Sequence, residues 1–248
     1  MPPSLATLAR ATRVGLSAAR TSEEDRRAHD DRRAMALLIA ALLERGDDAI
    51  DVGAHRGHLM QQILAAAPEG RHLAVEPVPS QALELRAALP SSVTVEEYAL
   101  TDDELEGEME FLHMPRPTAW SGVRPVDGPS ATDSTPFRRL QVRTIALDVL
   151  VERHGIVPRL IRIDVDGAEG LVLQGARRTI EHFQPALLVE HGNSMSHGGL
   201  GQNSASFFHQ VTDLRLRIFD LDGRGPYDLE SFQRAVSGRR IVNYLLRA

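Results

Sequence analysis

Four acids stand at or near the ends of short apolar runs. Asp51 lies in Ala49-Ile50-Asp51-Val52, Glu76 follows His72-Leu73-Ala74-Val75, Asp164 follows Leu160-Ile161-Arg162-Ile163, and Glu190 follows Ala186-Leu187-Leu188-Val189. If these runs are strands of one parallel sheet, all four carboxylates face a single crevice, because open α/β sheets bind ligands beyond the carboxyl ends of their strands. Sheet stability alone does not call for such a cluster. It repels itself unless cations, substrate hydroxyls or a metal occupy it.

Around the first acid, Ile50-Asp51-Val52-Gly53-Ala54-His55-Arg56-Gly57 reads as strand, tight turn and helix start. Gly53 and Gly57 let a ligand approach backbone where side chains would obstruct it. The spacing is G-x-x-x-G, so the three-glycine pyrophosphate fingerprint is not met. A sulfonium nucleoside has no phosphate to cradle. It needs acceptors for its ammonium and ribose groups, and Asp51 stands at the right strand end, with His55 in the turn beside it. Glu76, about 20 residues beyond the glycines, can accept from both ribose hydroxyls of any adenosine-containing cofactor. Pro77 follows it directly, and Tyr98-Ala99 lies where an adenine ring would rest. A strand-end surface acid and a purely structural turn would leave a similar trace.

At the other two strand ends, Asp164, Glu190 and His191 suit either of two devices. They could hold a divalent ion, Mg²⁺ for the carboxylates or Mn²⁺ with the histidine added. Alternatively, Asp164 or His191 could take a proton as general base. Simple hydrogen bonding to substrate hydroxyls is the plainer use of the same groups. The loop from His191 to Gly199 carries Asn193 and His197 and has the glycines and polar groups of a substrate loop. His197 does not form a helical pair with His191, and most loop histidines are merely solvated. Trp120, the only tryptophan, is a crevice cover or a platform for a sugar ring.

Positioning these groups requires strand–helix alternation. The spacing predicts strands at 49–52, 72–76 and 93–100, with helices from about His58 to Ala67 and Pro79 to Leu89 between them. Further strands are expected at 108–112, 140–145, 160–165, 186–190 and 214–220, and a final edge strand at 241–246. Helices are expected at 147–154, 168–183 and 204–212. The fold class is therefore α/β, a doubly wound, mostly parallel sheet behind an N-terminal helical segment. Residues 1–46 form that segment (an arm, a lid or a homodimer contact) and residues 47–248 the main domain. Met35, Leu38, Ile39, Leu42 and Leu43 should face the core, and Gly46 should stop their helix. Residues 101–137, rich in acids, prolines and glycines, predict an irregular and mobile region.

Composition excludes several classes. The 248 residues suit one large α/β domain, and a net charge of −6 does not suit nucleic acid or an anionic membrane. There is no cysteine, so disulfides, thiolate metal sites and cysteine nucleophiles are excluded. No apolar run approaches the ~20 residues of a membrane span, and no secretory h-region opens the chain, so a cytoplasmic enzyme is expected. All 28 basic residues are arginine, which reads as genome base composition.

The set Ile50–Gly57, Ala74-Val75-Glu76-Pro77, Tyr98-Ala99-Leu100, Val142–Leu150, Ile161–Ala176 and Pro185–Glu190 resembles the FkbM family of methyltransferases. Ser121, in Thr118-Ala119-Trp120-Ser121, falls near that family's serine-containing loop. Arg162 and Asp166 depart from the lysine and glutamate usual there. The resemblance implies a Rossmann-like class I methyltransferase fold and methyl transfer from S-adenosylmethionine to a hydroxyl. The implied acceptor is a small molecule or oligosaccharide, such as a methylmannose polysaccharide precursor or a glycolipid sugar, with divalent-metal assistance expected. Asp51, Gly53, His55, Gly57, Glu76, Pro77, Tyr98 and Ala99 would then hold the cofactor, and Trp120, Ser121 and Asn193 the acceptor. Two other functions compete: an NAD-dependent oxidoreductase, disfavoured by the missing middle glycine, and a non-catalytic nucleoside-binding module.

Overall fold

The computed structural model describes residues 23–113, 122–123, 138–192, 203–238 and 243–248. Among them runs the order α1 (Glu23–Leu42), β1 (Asp48–Val52), α2 (His58–Ala66), β2 (His72–Val75), α3 (Pro79–Ala88), β3 (Val93–Glu96) and β4 (Ala99–Leu100). Then come β5 (Gly107–His113), β6 (Gly122–Val123), β7 (Arg138–Ile145), α4 (Leu147–His154), β8 (Pro158–Ile163), α5 (Glu169–Gly175) and α6 (Arg177–Phe183). The chain closes with β9 (Ala186–Glu190), α7 (Ser204–Asp213), β10 (Arg217–Asp220), α8 (Leu229–Ser237) and β11 (Asn243–Arg247).

Seven strands form the main sheet in the order β10-β11-β9-β8-β1-β2-β3. The strands from β3 to β9 are parallel, and β11 runs antiparallel to both of its neighbours. Alternation along β1 explains the two covered faces. Ile50 and Val52 enter one core with Leu147, Val172, Phe207 and Phe232, whereas Ala49 enters the other with Ile39, Met60, Ile63 and Leu160. Helices thus lie on both faces, as a doubly wound sheet requires. The five predicted core positions of α1 are buried or partly buried, although the helix ends at Leu42 and Gly46 sits in the turn beyond.

Several expectations change. The run at 93–100 is two strands, because the chain leaves the main sheet after Glu96 and its continuation β4 pairs with β7. A second sheet, β4-β7-β5-β6, results. The helix expected at 168–183 breaks at Ala176, which terminates α5 and begins α6. The last strand is not an edge: β11 lies between β9 and β10, with Leu246 and Tyr244 fully buried. Helix α8 was not anticipated, though Asp228 and Ser231 form a capping box at its start. No helix among the described residues is long and apolar enough to cross a membrane.

The sheet order reverses between β1 and β8, the place where ligands enter such folds. There the two strand ends approach so closely that only glycine fits. Gly53 has φ +77°, and a Cβ on it would lie 1.9 Å from the Asp164 carbonyl oxygen. Gly53→Ala is therefore expected to lower the unfolding free energy by about 2 kcal/mol or more. Urea denaturation measures this, and a variant as stable as wild type would contradict the close approach.

Candidate active site

A cavity of about 220 Å³ opens at this reversal point. Sequence-predicted residues Gly53, His55, Glu76, Pro77, Tyr98, Ala99 and Asp164 line it. Their common destination follows from topology: β1, β2 and β8 end side by side, and the chain after β3 turns across them. Val78, Gln81, Phe111 and Val165 also line the cavity and escaped the sequence reading; Asp166 lines it too, noted there only as a departure from the family's glutamate. Phe111 reaches it from the second sheet, which no local pattern announced. Gln81 sits in the first turn of α3, where a polar residue reads as ordinary helix surface.

Glu76 is 4% exposed, and both of its oxygens are held by backbone. The His55 N–H donates to Oε2 and the Val78 N–H to Oε1, each at 2.9 Å. A carboxylate has about four acceptor positions, so each oxygen keeps one for a ligand hydroxyl. His55 achieves its contact with φ +46°, an unusual backbone conformation for a side-chain-bearing residue. Burial pushes the Glu76 pKa up to about 7; the two amides oppose this, and Asp51 and Asp164 add to it. Burial and the charge of Arg56 lower the pKa of His55, which favours its neutral ring. On the far wall the Tyr98 hydroxyl donates to Glu106 at 2.9 Å, and the Arg143 guanidinium stacks 4.2 Å from the ring centroid. The ring is held edge and face.

Asp51 lies beneath the cavity rather than on its wall. It is fully buried, and its Oδ2 has no hydrogen-bond partner. Burial raises its pKa, with Arg162 opposing. Arg162 pairs with Asp51 across β1 and β8 and lies two residues before Asp164, on the same strand face. Its Nη1 donates to the Gly53 carbonyl at 2.9 Å and approaches Asp51 Oδ1 at 3.4 Å, while Nη2 bonds Asp164 Oδ2. Glu190, at the end of β9, has its pKa raised to about 8 by burial and the nearby charge of Asp164, against the pull of Arg162.

His191 stands apart from this group. Its side chain is 2% exposed, and its ring stacks on Phe207 at 4.0 Å between centroids. Nδ1 lies 3.3 Å from Glu169 Oε2, and the other Glu169 oxygen accepts the Gly167 N–H at 2.7 Å. Glu169, unread in the sequence, thus fastens the turn in which Asp166 and Gly167 take positive φ. Gly57 caps α2 with φ +73° and does not line the cavity. Trp120, Ser121, Asn193 and His197 lie outside the described residues. No trio of His, Asp or Glu among the described residues is arranged to hold a metal ion, so Asp164, Glu190 and His191 do not form a ready ligand set here.

Residues 51–222 match the model of the methyltransferase FkbM domain. The chain belongs to the FkbM methyltransferase family. Its mostly parallel seven-stranded sheet with helices on both faces is the Rossmann-like class I methyltransferase fold. An FkbM methyltransferase structure from Methylobacillus flagellatus KT is 15% identical, with a TM-score of 0.49 over 83% of this chain and 44% of that one. The present chain therefore spans less than half the length of that relative. Precorrin-6y C5,15-methyltransferase from Geobacter metallireducens GS-15 is 12% identical, with a TM-score of 0.43 over 75% of this chain and 70% of that one. The sugar N-methyltransferase KedS8 from Streptoalloteichus is 9% identical, with a TM-score of 0.34 over 64% of this chain and 47% of that one. No curated protein matches the chain in sequence.

The FkbM domain's buried Glu76 carries a pH signature. Its folded pKa of about 7 exceeds the ordinary 4.5, so the folded state holds its proton more tightly than the unfolded chain. The stability it contributes is complete below pH 4.5 and is lost as pH rises to about 7. Glu76→Ala is therefore expected to destabilise more at pH 5 than at pH 7.5. Urea unfolding of both proteins at the two pH values tests this, and the opposite order would refute it.

Proposed function

We propose that this chain is an S-adenosylmethionine-dependent O-methyltransferase acting on a hydroxyl of a sugar or similarly polyhydroxylated acceptor. The observation that carries this reading is Glu76, buried and held by two backbone amides at the wall of the reversal-point cavity with acceptor positions to spare. Such a carboxylate suits the vicinal hydroxyls of a ribose. Tyr98, Ala99, Val78 and Phe111 supply the apolar faces that an adenine ring requires, and Gln81 an amide for its edge. At about 220 Å³ the cavity is smaller than the ~300–1,000 Å³ of whole-ligand sites. It would thus take the nucleoside part and leave the methyl-bearing end towards Asp164.

When bound, S-adenosylmethionine would supply an electrophilic methyl group on a positively charged sulfur. Arg162 pairs with Asp51 and Asp164, and Asp164 still presents a partly exposed carboxylate at the cavity wall, a group that favours such a cation. Gly53, lacking a side chain, leaves the strand end open to close approach. Asp164, on the cavity wall and 26% exposed, would orient the acceptor hydroxyl and accept its proton as the carbon–oxygen bond forms and the methyl carbon–sulfur bond breaks, with S-adenosylhomocysteine leaving. His191 is buried against Phe207 and has no part in this step. The family's methyltransferase chemistry displaces the oxidoreductase alternative. A non-catalytic nucleoside-binding module remains the result that the following experiment would expose.

Glu76→Ala is expected to weaken S-adenosylhomocysteine binding about tenfold or more. Asp164→Ala should bind within a few-fold of wild type yet transfer no labelled methyl group to a sugar panel. Calorimetry and label counting together decide it. A reversed ordering, or binding without transfer by wild type to any hydroxylated acceptor, would defeat the assignment.

A further inference from the structure

We infer that Arg162 is the resident cation of this crevice and occupies the place a divalent metal would need, so that methyl transfer here requires no metal. The inference rests on the methyltransferase reading above. A hard divalent ion bound by Asp164 would need several oxygen ligands at ~2.0–2.6 Å. Arg162 Nη2 already bonds Asp164 Oδ2, so an ion on this carboxylate would have to sit beside a fixed positive charge. The guanidinium cannot swing aside freely, because its Nη1 also donates to the Gly53 carbonyl and faces Asp51. Its side chain is only 14% exposed. Burial alone would weaken its hold on the proton, but Asp164, Asp51 and Glu190 more than compensate, raising its pKa above the ordinary value.

The third candidate ligand, His191, has a buried Nε2 with no hydrogen-bond partner, yet no trio of His, Asp or Glu among the described residues is arranged to share an ion with it. His191 presents Nδ1 to Glu169 and lies flat against Phe207, with Phe232 at 5.9 Å. Assembling an ion on Asp164, Glu190 and His191 would mean breaking the Arg162–Asp164 pair and turning a stacked, buried ring. An arginine held this way does a metal's electrostatic work without one. It stands between Asp51 and Asp164 and fixes the Asp164 side chain by a directional bond. It also ties the end of β1 to the end of β8 through the Gly53 carbonyl. Arg162 is thus a positioning residue that acts through Asp164 and Gly53.

Electron paramagnetic resonance with Mn²⁺ tests the inference on the protein alone, before any acceptor is known. Wild type is expected to show no saturable Mn²⁺ binding up to about 1 mM, and labelled methyl transfer should survive EDTA. Saturable Mn²⁺ binding that Asp164→Asn abolishes would overturn the inference. In metal-free buffer, Arg162→Met is expected to lose S-adenosylhomocysteine affinity about tenfold or more, and Arg162→Lys to recover most of that loss. Equal affinity of the Met and wild-type proteins would overturn it too. If Arg162→Met does not fold, the Mn²⁺ titration and the Lys variant still decide. Failure of wild type to bind S-adenosylhomocysteine at all would instead defeat the cofactor assignment, which the Mn²⁺ result does not depend on.

Discussion

The contact between the ends of β1 and β8 governs the rest of the site. Here Gly53 has no side chain, and the Asp164 carbonyl sits in the space that one would fill. That single economy of volume brings the turn after β1, the acid after β2 and the acid after β8 around one hollow. Arg162 then holds the two strand ends with one planar group, donating to the Gly53 carbonyl on one side and to Asp164 on the other. Backbone proximity and charge neutralisation are therefore not separate features. The first forces carboxylates together, and the second makes that tolerable.

The same economy recurs around Glu76 and Glu169. Each is a carboxylate almost removed from water, and each gives one oxygen to a backbone N–H of a turn with positive φ. Buried acids that fasten turns convert an electrostatic penalty into local rigidity, because an amide left unpaired in the interior costs about 1–3 kcal/mol. His55 and Asp166 both line the hollow, and the turns that carry them are fastened by side chains rather than by regular secondary structure.

Much of this was legible in the primary structure because strand–helix alternation is a strong periodic signal and strand ends are where chemistry concentrates. Gly53, His55, Glu76-Pro77, Tyr98-Ala99 and Asp164 were placed from runs such as Ala49–Val52 and Leu160–Ile163, and all reach the same hollow, whereas Asp51, Gly57 and Glu190 do not line it. What stayed hidden depends on partners rather than on local pattern. The apolar run from Val93 to Leu100 does not reveal that its hydrogen bonds change sheet midway. The strand at 243–247 looks like an edge until Leu246 is seen between β9 and β10. His191 follows a strand-end acid and so read as a site residue, yet the aromatic rings that bury it come from α7 and α8, far along the chain. Arg162 was read as a departure from a familial lysine. Its role emerges only from register, which sets it opposite Asp51.

The hollow draws its walls from two sheets that share no strand. Its floor and acids belong to the seven-stranded sheet, whereas Ala99, Leu100 and Phe111 belong to the four-stranded one. A lineage could therefore lengthen, retilt or replace the smaller sheet and reshape the chamber's roof, while the gripping acids beneath kept their alignment. Tinkering of that kind leaves intact the part on which the chemistry turns and alters only the company it accepts.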